Sequence, residues 1–151
     1  MALAAGDRAP LVALSDQNGE GRRSDQLAGK ALVLFFYPKD DTPGCTAEAC
    51  AFRDSYADLQ SLGAEVWGVS GDDQASHQRF ASRHDLPFPL LVDQGNALRK
   101  AFEVPNVLGL LPGRVTYVID REGVIRHVFN NLLDGAAHRN EARAALQRLA
   151  L

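Results

Sequence analysis

The sequence predicts an α/β domain in which a central sheet is covered by helices. Three observations support this prediction. Residues 31–37 (ALVLFFY) are uninterrupted apolar, which is typical of a strand buried on both faces. Residues 43–62 carry an apolar stripe at helical spacing, formed by Ala49, Phe52, Tyr56, Leu59 and Leu62. Segments of these two kinds alternate along the 151-residue chain, as they do in layered α/β domains.

The other elements follow in order from similar signals. Asn18-Gly19 is a strong turn signal and predicts a hairpin between residues 11–14 and 20–24. After Gly63, which ends the first helix, we expect strands at 65–70, 90–93, 114–120 and 124–129, and helices from Asp72 or Asp73 to His84, from 96 to 102, and from Asp134 to the C-terminus. No repeat or linker interrupts the sequence, so residues 1–151 are predicted to form a single domain.

Composition excludes several classes of protein. The formal net charge is −3 and the sequence has no basic run, so it lacks the charge pattern of a nucleic-acid-binding protein. The first ten residues, MALAAGDRAP, have no basic region before their short apolar run and do not resemble a signal peptide. No apolar run approaches the length of a transmembrane helix. We therefore expect a cytoplasmic protein that binds neither nucleic acid nor membrane.

The most informative stretch is residues 35–53, FFYPKDDTPGCTAEACAFR, which contains both cysteines of the chain. Thr42 is suited to the N-cap of the helix and Pro43 to its first position, so Cys45 is expected about three residues inside. A helix N-terminus offers unpaired N–H donors and the positive end of the dipole, and both favour a thiolate over a thiol. Cys45 also projects onto the apolar stripe, toward the body of the domain. It is therefore predicted to be a nucleophile.

Cys50 follows Cys45 at a spacing that an intact helix cannot bridge. Five helical residues place the two side chains about 140° apart around the axis and separate them by about 7.5 Å of rise. A disulfide needs Cα atoms within about 7 Å. Either the two cysteines never bond, or the first turns of the helix unwind when they do.

The same stretch carries a resemblance to a known family. Pro38, Thr42 and Cys45 form the pattern PxxxTxxC, and YPKDDTPGCTAEACAFRD resembles the active-site segment of the peroxiredoxins. The spacing of Cys45 and Cys50 resembles the bacterioferritin-comigratory, or peroxiredoxin Q, branch. GVSGDDQASHQRFASRHDLPFPLLVD and GRVTYVIDREGVI are similar to the same branch, so the resemblance spans about residues 6–149. It implies a thioredoxin-like fold, with a central mixed sheet flanked by helices and an N-terminal β-hairpin extension.

The resemblance also implies an antioxidant reaction on hydrogen peroxide and organic hydroperoxides. Cys45 would be the peroxidatic cysteine, whose thiolate attacks one peroxide oxygen and becomes a sulfenic acid while water or an alcohol leaves. Cys50 would be the resolving cysteine and would close a Cys45–Cys50 disulfide, which thioredoxin or a similar dithiol protein would reduce. Thr42 and Arg114 would bind the peroxide, and Pro38 would shield the thiolate and shape its loop. No metal or other cofactor is implied. Because the disulfide is intramolecular, we expect a monomer.

Three other interpretations of the two cysteines were weighed. A disulfide-exchange protein is disfavoured because the sequence has no CxxC motif. A one-cysteine peroxidase, in which an external thiol resolves the sulfenic acid and Cys50 is a bystander, stays open. So does a non-enzymatic peroxide sensor with a Cys45–Cys50 switch, because it shares the first chemical step.

The remaining polar residues near the motif are predicted to be peripheral. Asp40 and Asp41 are interpreted as a solvated loop, and His77 as a packing residue. Glu48 and Arg53 are expected to tune the site electrostatically or to hold local contacts, without a catalytic step.

Two further features are interpreted from the sequence. His127 and His138 have no evident partner residues for a metal site, so neither is expected to hold a metal ion. The apolar segment 104–113, with Val107, Leu108, Leu110 and Leu111, is expected to line the mouth of the site or to form a contact surface.

Overall fold

The computed structural model describes residues 3–107 and 111–149. In this part of the chain the strands are β1 (Ala13–Ser15), β2 (Gly21–Arg23), β3 (Ala31–Phe36), β4 (Ala64–Ser70), β5 (Leu90–Val92), β6 (Asn106–Val107), β7 (Leu111–Pro112), β8 (Val115–Ile119) and β9 (Ile125–Asn130). The α-helices are α1 (Pro43–Ser61), α2 (Gln74–His84), α3 (Ala97–Ala101) and α4 (Gly135–Leu149).

The described residues form a mixed five-stranded sheet with the strand order β5-β4-β3-β8-β9. β3 pairs in parallel with β4 and β4 with β5, whereas β8 pairs antiparallel with both β3 and β9. All six residues of β3 are buried, as its apolar sequence predicts for a central strand. β1 and β2 form a separate antiparallel hairpin, which confirms the predicted N-terminal extension.

Alternate residues of β3 point into two cores, one on each face of the sheet. Val33, Phe35 and Tyr37 belong to the core beneath α1, α2 and α4, and this core also contains Cys45. Phe35 stacks on Phe52 of α1, with ring centroids 4.6 Å apart. The nucleophile candidate therefore lies against a rigid, close-packed layer.

The opposite face of the sheet carries the second core. Leu32, Leu34 and Phe36 of β3 pack there with Trp67 and Phe102. With both faces covered, the sheet has the layered arrangement that the alternating sequence pattern predicts.

The predicted elements agree with the structure to within one or two residues at most ends. The clearest difference is in segment 104–113, where β6 and β7 pair antiparallel instead of forming a simple loop. Val104 at the start of that segment is buried in the second core, while Leu108 and Leu110 lie outside the described residues. Among residues 3–107 and 111–149, no helix is both long and apolar enough to span a bilayer.

Candidate active site

The N-terminus of α1 positions Cys45. Thr42 is the N-cap residue, with an extended backbone, and its carbonyl oxygen accepts a hydrogen bond from the Thr46 amide at 2.8 Å. Pro43 is the first helical residue, as predicted. The Cys45 side chain is 1% exposed and faces the core, as its place on the apolar stripe predicts.

The Thr42 side chain does not do what its capping position predicts. Within the described residues its hydroxyl makes no cap bond and instead donates to the Lys39 carbonyl oxygen at 2.9 Å. The chain turns sharply before α1, with a φ of 61° at Asp41, and this turn brings the Lys39 carbonyl within reach. Because the hydroxyl proton is used there, the Thr42 oxygen can offer only its lone pairs to a bound molecule.

Arg114 directly precedes β8 and is buried. Its guanidinium donates three hydrogen bonds, one to a backbone carbonyl and two to side chains. Nε donates to the Leu132 carbonyl at 2.9 Å, Nη1 to Glu48 Oε1 at 2.6 Å, and Nη2 to Cys45 Sγ at 3.4 Å. Gly44 leaves room for this approach, because a Cβ there would lie 3.0 Å from Nη2 and would push the guanidinium by a few tenths of an ångström. Pairing of β8 with β3 thus brings the Arg114 guanidinium to the candidate nucleophile of α1.

Glu48 is a member of this site that the sequence analysis placed at its margin. Its side chain is fully buried one helical turn after Cys45, and it pairs with Arg114. Burial raises the pKa of Glu48 to about 8, and the charge and hydrogen bond of Arg114 only partly oppose that shift. The spacing of three between Cys45 and Glu48, which puts both on one helix face, was the signal that could have identified it.

His138 of α4 lies on the far side of the site, where it contacts three polar groups. Its Nδ1 lies 2.7 Å from the Thr116 hydroxyl oxygen and 3.4 Å from Glu48 Oε2, and its Nε2 lies 2.7 Å from the Asn131 carbonyl oxygen. Burial lowers the pKa of His138 to about 4. Its partners come from distant parts of the chain, so no local sequence signal reveals them. His127 likewise has a polar partner that the sequence does not reveal, because it pairs with Glu141.

Arg99 is a second buried arginine that the sequence analysis missed. It donates from Nη1 to the Gly113 carbonyl at 2.7 Å and from Nη2 to the Tyr37 carbonyl at 2.8 Å. These bonds join the end of β3 to the residue before Arg114. Burial lowers the pKa of Arg99, because the charged form loses its hydration. An arginine in a short helix carries no sequence signal for this role.

Asp40 is buried, which corrects its interpretation as part of a solvated loop; only the neighbouring Asp41 is exposed. The Asp40 carboxylate accepts hydrogen bonds from the Tyr37 hydroxyl at 2.6 Å and the Ser76 hydroxyl at 2.8 Å, and it pairs with His77 Nδ1 at 2.7 Å. The loop before α1 is therefore tied to α2. The physical reason is that a buried carboxylate is stable when its oxygens are hydrogen-bonded.

His77 is a hydrogen-bonding partner of Asp40 as well as a packing residue. Its Nε2 lies 2.8 Å from the Leu91 carbonyl oxygen, so both ring nitrogens face oxygen acceptors. Burial by itself would lower the pKa of His77, but the hydrogen bond and charge of Asp40 outweigh that effect and raise it. Asp40, Asp72 and His77 place ligand atoms within 4.8 Å of one another, a spacing that a metal ion could use. The side chains of Asp40, Asp72 and His77 already form hydrogen bonds with Tyr37, Ser70, Ser76 and Leu91.

The structure does not bring Cys50 to Cys45. α1 is intact through both residues, Cys50 is partly buried, and both cysteines are free thiols. Pro38 is partly buried in the turn between β3 and α1. The roles of Pro38 and Cys50, and the Cys45–Cys50 disulfide, stay predictions. The helix must unwind before the disulfide can form.

Comparison with known proteins agrees with this geometry. The family model described as the AhpC/TSA family matches residues 5–128. The chain is 50% identical over 141 residues to the chloroplastic peroxiredoxin Q of Triticum aestivum, covering 93% of this chain and 65% of that protein. It is 51% identical over 137 residues to the chloroplastic peroxiredoxin Q of Arabidopsis thaliana, covering 90% of this chain and 63% of that protein. The chain thus spans a little less than two thirds of the length of these two relatives.

Two solved bacterial structures resemble the whole chain. The peroxidoxin BcpB of Mycobacterium tuberculosis superposes with a TM-score of 0.89 at 34% identity, covering 97% of this chain and 98% of that one. The bacterioferritin comigratory protein of Xanthomonas campestris superposes with a TM-score of 0.85 at 32% identity, covering 96% of this chain and 100% of that one. The thioredoxin-like fold expected from the resemblance is confirmed. The chain therefore belongs to the AhpC/TSA family, within its peroxiredoxin Q branch.

Proposed function

We propose that the protein is a thiol-dependent peroxidase that reduces hydrogen peroxide and organic hydroperoxides. The observation that supports this proposal most directly is the contact of 3.4 Å between Arg114 Nη2 and the Sγ of the buried Cys45 near the N-terminus of α1. Family membership implies a peroxide substrate and a thiol reductant. The Xanthomonas campestris relative is described with alkyl peroxide reduction activity, which supports organic hydroperoxides as substrates here.

In the first step the Cys45 thiolate attacks one peroxide oxygen. An S–O bond forms, the O–O bond breaks, and sulfur loses two electrons to the peroxide. The product is a sulfenic acid, and the leaving oxygen takes a proton to become water or an alcohol. Arg114 supplies positive charge for the oxygen on which negative charge grows, and Thr42 supplies an acceptor for the peroxide O–H. Pro38 shapes the loop that excludes water from the thiolate.

In the second step α1 unwinds at its start and the Cys50 thiol attacks the Cys45 sulfenic acid. A disulfide forms and water leaves. A dithiol protein, which we propose to be thioredoxin, returns two electrons and two protons and regenerates both thiols. The first turns of a helix are its least stable part, so this opening is feasible. A monomer in the cytoplasm remains our prediction for its assembly and location.

The test is to treat the reduced protein with one equivalent of hydrogen peroxide and follow its intact mass. Loss of two hydrogens, mapped to Cys45–Cys50 and restored by thioredoxin, is the expected result. C50S should instead gain oxygen on Cys45, and C45S should not react. If wild type gains oxygen on Cys45 and leaves Cys50 free, an external thiol resolves the intermediate. Unreacted wild type would exclude the peroxidase, and oxidation without repeated turnover would favour a sensor.

A further inference from the structure

Glu48 has two unlike carboxyl oxygens. Oε1 accepts from Arg114 Nη1 at 2.6 Å. Among the described residues, Oε2 has no hydrogen-bond partner by geometry, although it is buried and lies 3.4 Å from His138 Nδ1. A buried carboxylate oxygen that accepts no hydrogen bond is unfavourable, because no interaction within the protein replaces its lost hydration.

His138 shows which group holds the proton between these two residues. Its Nε2 faces the Asn131 carbonyl oxygen, which can only accept, so Nε2 carries a hydrogen. In a neutral imidazole the other nitrogen is then a lone-pair acceptor. Nδ1 receives the Thr116 hydroxyl, and the same edge of the ring faces Glu48 Oε2. Ionised Glu48 would place negative charge opposite this electron-rich edge, which has no hydrogen to donate, whereas a carboxyl O–H would direct a hydrogen toward it.

The charges around Glu48 also favour a protonated carboxyl group. The titratable groups that contact Glu48 are Arg114 before β8 and His138 on α4, and Arg114 also contacts Cys45. Asp134 and Glu141 act on the charge of His138, and burial together with Arg114 keeps that ring neutral. Arg114 therefore contacts one potential anion, the Cys45 thiolate, and a second, the Glu48 carboxylate. The buried Arg99 guanidinium also interacts with the charge of Cys45, but the buried Asp93 carboxylate balances it. A buried site with both ionised would carry a net negative charge.

We propose that Glu48 is held as a neutral carboxylic acid, with its proton on Oε2 facing His138 Nδ1, and that it acts as a positioning residue that leaves the charge of Arg114 to the Cys45 sulfur. The raised pKa of Glu48, about 8, agrees with this geometry. The inference deepens the proposed peroxidase function, and its effect on rate rests on that function. The protonation state itself does not.

The first test reads the carboxyl group directly. In an infrared difference spectrum of wild type minus E48Q at pH 7, we expect the C=O band of a protonated carboxylic acid, which shifts in deuterated water. Titration should remove the band near pH 8. H138F removes the acceptor and should remove the band at a lower pH, with folding checked by circular dichroism. E122Q, at an exposed position in the turn before β9, is the matched control and should leave the band unchanged.

The second test uses the pH profile of Cys45 oxidation. Glutamine mimics the neutral acid, because its carbonyl can accept from Arg114 and its amide can donate to His138. The rate of Cys45 oxidation in wild type should fall as the pH rises through about 8, the pKa of Glu48. At pH 9 the rate of E48Q should be roughly tenfold higher than that of wild type, because one pH unit changes the ratio of protonated to ionised Glu48 tenfold. If Glu48 acts as an anion, E48Q will be slower than wild type at every pH.

The two tests separate the possible failures. Absence of the carboxylic-acid band at pH 7 would overturn the inference whether or not the protein turns over peroxide. A band at pH 7 in a protein that does not react with peroxide would instead support the neutral acid and remove the peroxidase proposal. A band at pH 7 with an E48Q rate below wild type at every pH would overturn the positioning role.

Discussion

Gly135, the first residue of α4, lies against the backbone of Glu48 in α1. A Cβ at Gly135 would come within 2.8 Å of the Glu48 amide nitrogen and within 2.8 Å of the Gly44 carbonyl oxygen. Both are backbone atoms and cannot turn away as a flexible side chain can. This contact sets how closely His138 of α4 approaches the Glu48 carboxyl and how α1 is seated beside Arg114.

The first prediction concerns that helix contact. G135A should separate α4 from α1, lower the free energy of unfolding by about 1–3 kcal/mol, and slow Cys45 oxidation, because Glu48 and Gly44 move relative to Arg114. Urea denaturation and the second-order rate with peroxide measure the two effects. G21A is the control, because among the described residues nothing lies within 4 Å of a Cβ there. Wild-type stability and rate in G135A would contradict the packing argument.

The second prediction concerns the three-way contact of Arg114. Lysine keeps the positive charge but has one nitrogen, so it cannot reach Leu132, Glu48 and Cys45 together. R114K should lower the second-order rate of Cys45 oxidation by about 10²–10³-fold, the usual effect of losing a donor aimed at developing charge. R126K, on a surface pair with Asp120, should leave the rate unchanged. An R114K rate within threefold of wild type would show that charge alone suffices.

The third prediction concerns the hydroxyl of Thr42. Its proton is donated to the Lys39 carbonyl, so the oxygen is left to accept from the peroxide O–H. T42V keeps the shape but removes the oxygen, and the peroxide rate should fall by about 10–100-fold, in the range of one lost hydrogen bond to a charged or reacting group. T42S keeps the oxygen and should stay much closer to wild type. Equal rates in T42V and T42S would remove Thr42 from the site.

The fourth prediction concerns the buried pair of Asp40 and His77. The pKa of His77 is raised above its ordinary 6.5. A histidine whose folded pKa is raised stabilises the folded state fully below its unfolded pKa, and this contribution is lost as the pH rises through the folded value. D40N should therefore cost about 3 kcal/mol near pH 6 and distinctly less near pH 9, by urea denaturation.

D41N is the control for that experiment. Asp41 is exposed, and its contacts with Arg83 and His84 lie at the surface, so the substitution should change the unfolding free energy by less than about 0.5 kcal/mol at either pH. A D40N cost that is the same at both pH values would show that His77 is neutral in the folded protein.

Elements with local signals were predictable from the sequence. The apolar run of β3, the Thr42-Pro43 start of α1 and the Asn18-Gly19 turn each depend on residues near one another in the chain. The same is true of the direction in which Cys45 points, because it follows from helical periodicity. Arg114 was placed by resemblance to a family, since an arginine at the start of a strand has no local feature that marks it as buried.

Residues whose hydrogen-bond partners lie far away in the sequence could not be predicted, because no local signal marks these contacts. Asp40 looked solvated because its neighbours in sequence are polar, yet its partner His77 lies 37 residues away. His138 lies 22 residues from Thr116, and Arg99 is 62 residues from Tyr37. A polar side chain is stable in the interior when it finds such partners, and a sequence does not show which partners the fold will supply.

The sequence by itself determined the layered α/β architecture and the position of the Cys45 thiol at the start of a helix, because periodicity, turns and helix-start signals act over a few residues. Only the tertiary structure decided what surrounds that thiol. Pairing of β3 with β8 brings Arg114 to Cys45, and packing of α4 on α1 buries Glu48 beside His138. Burial there removes water, so the charge and proton of each group depend on neighbours that the chain brings from far away.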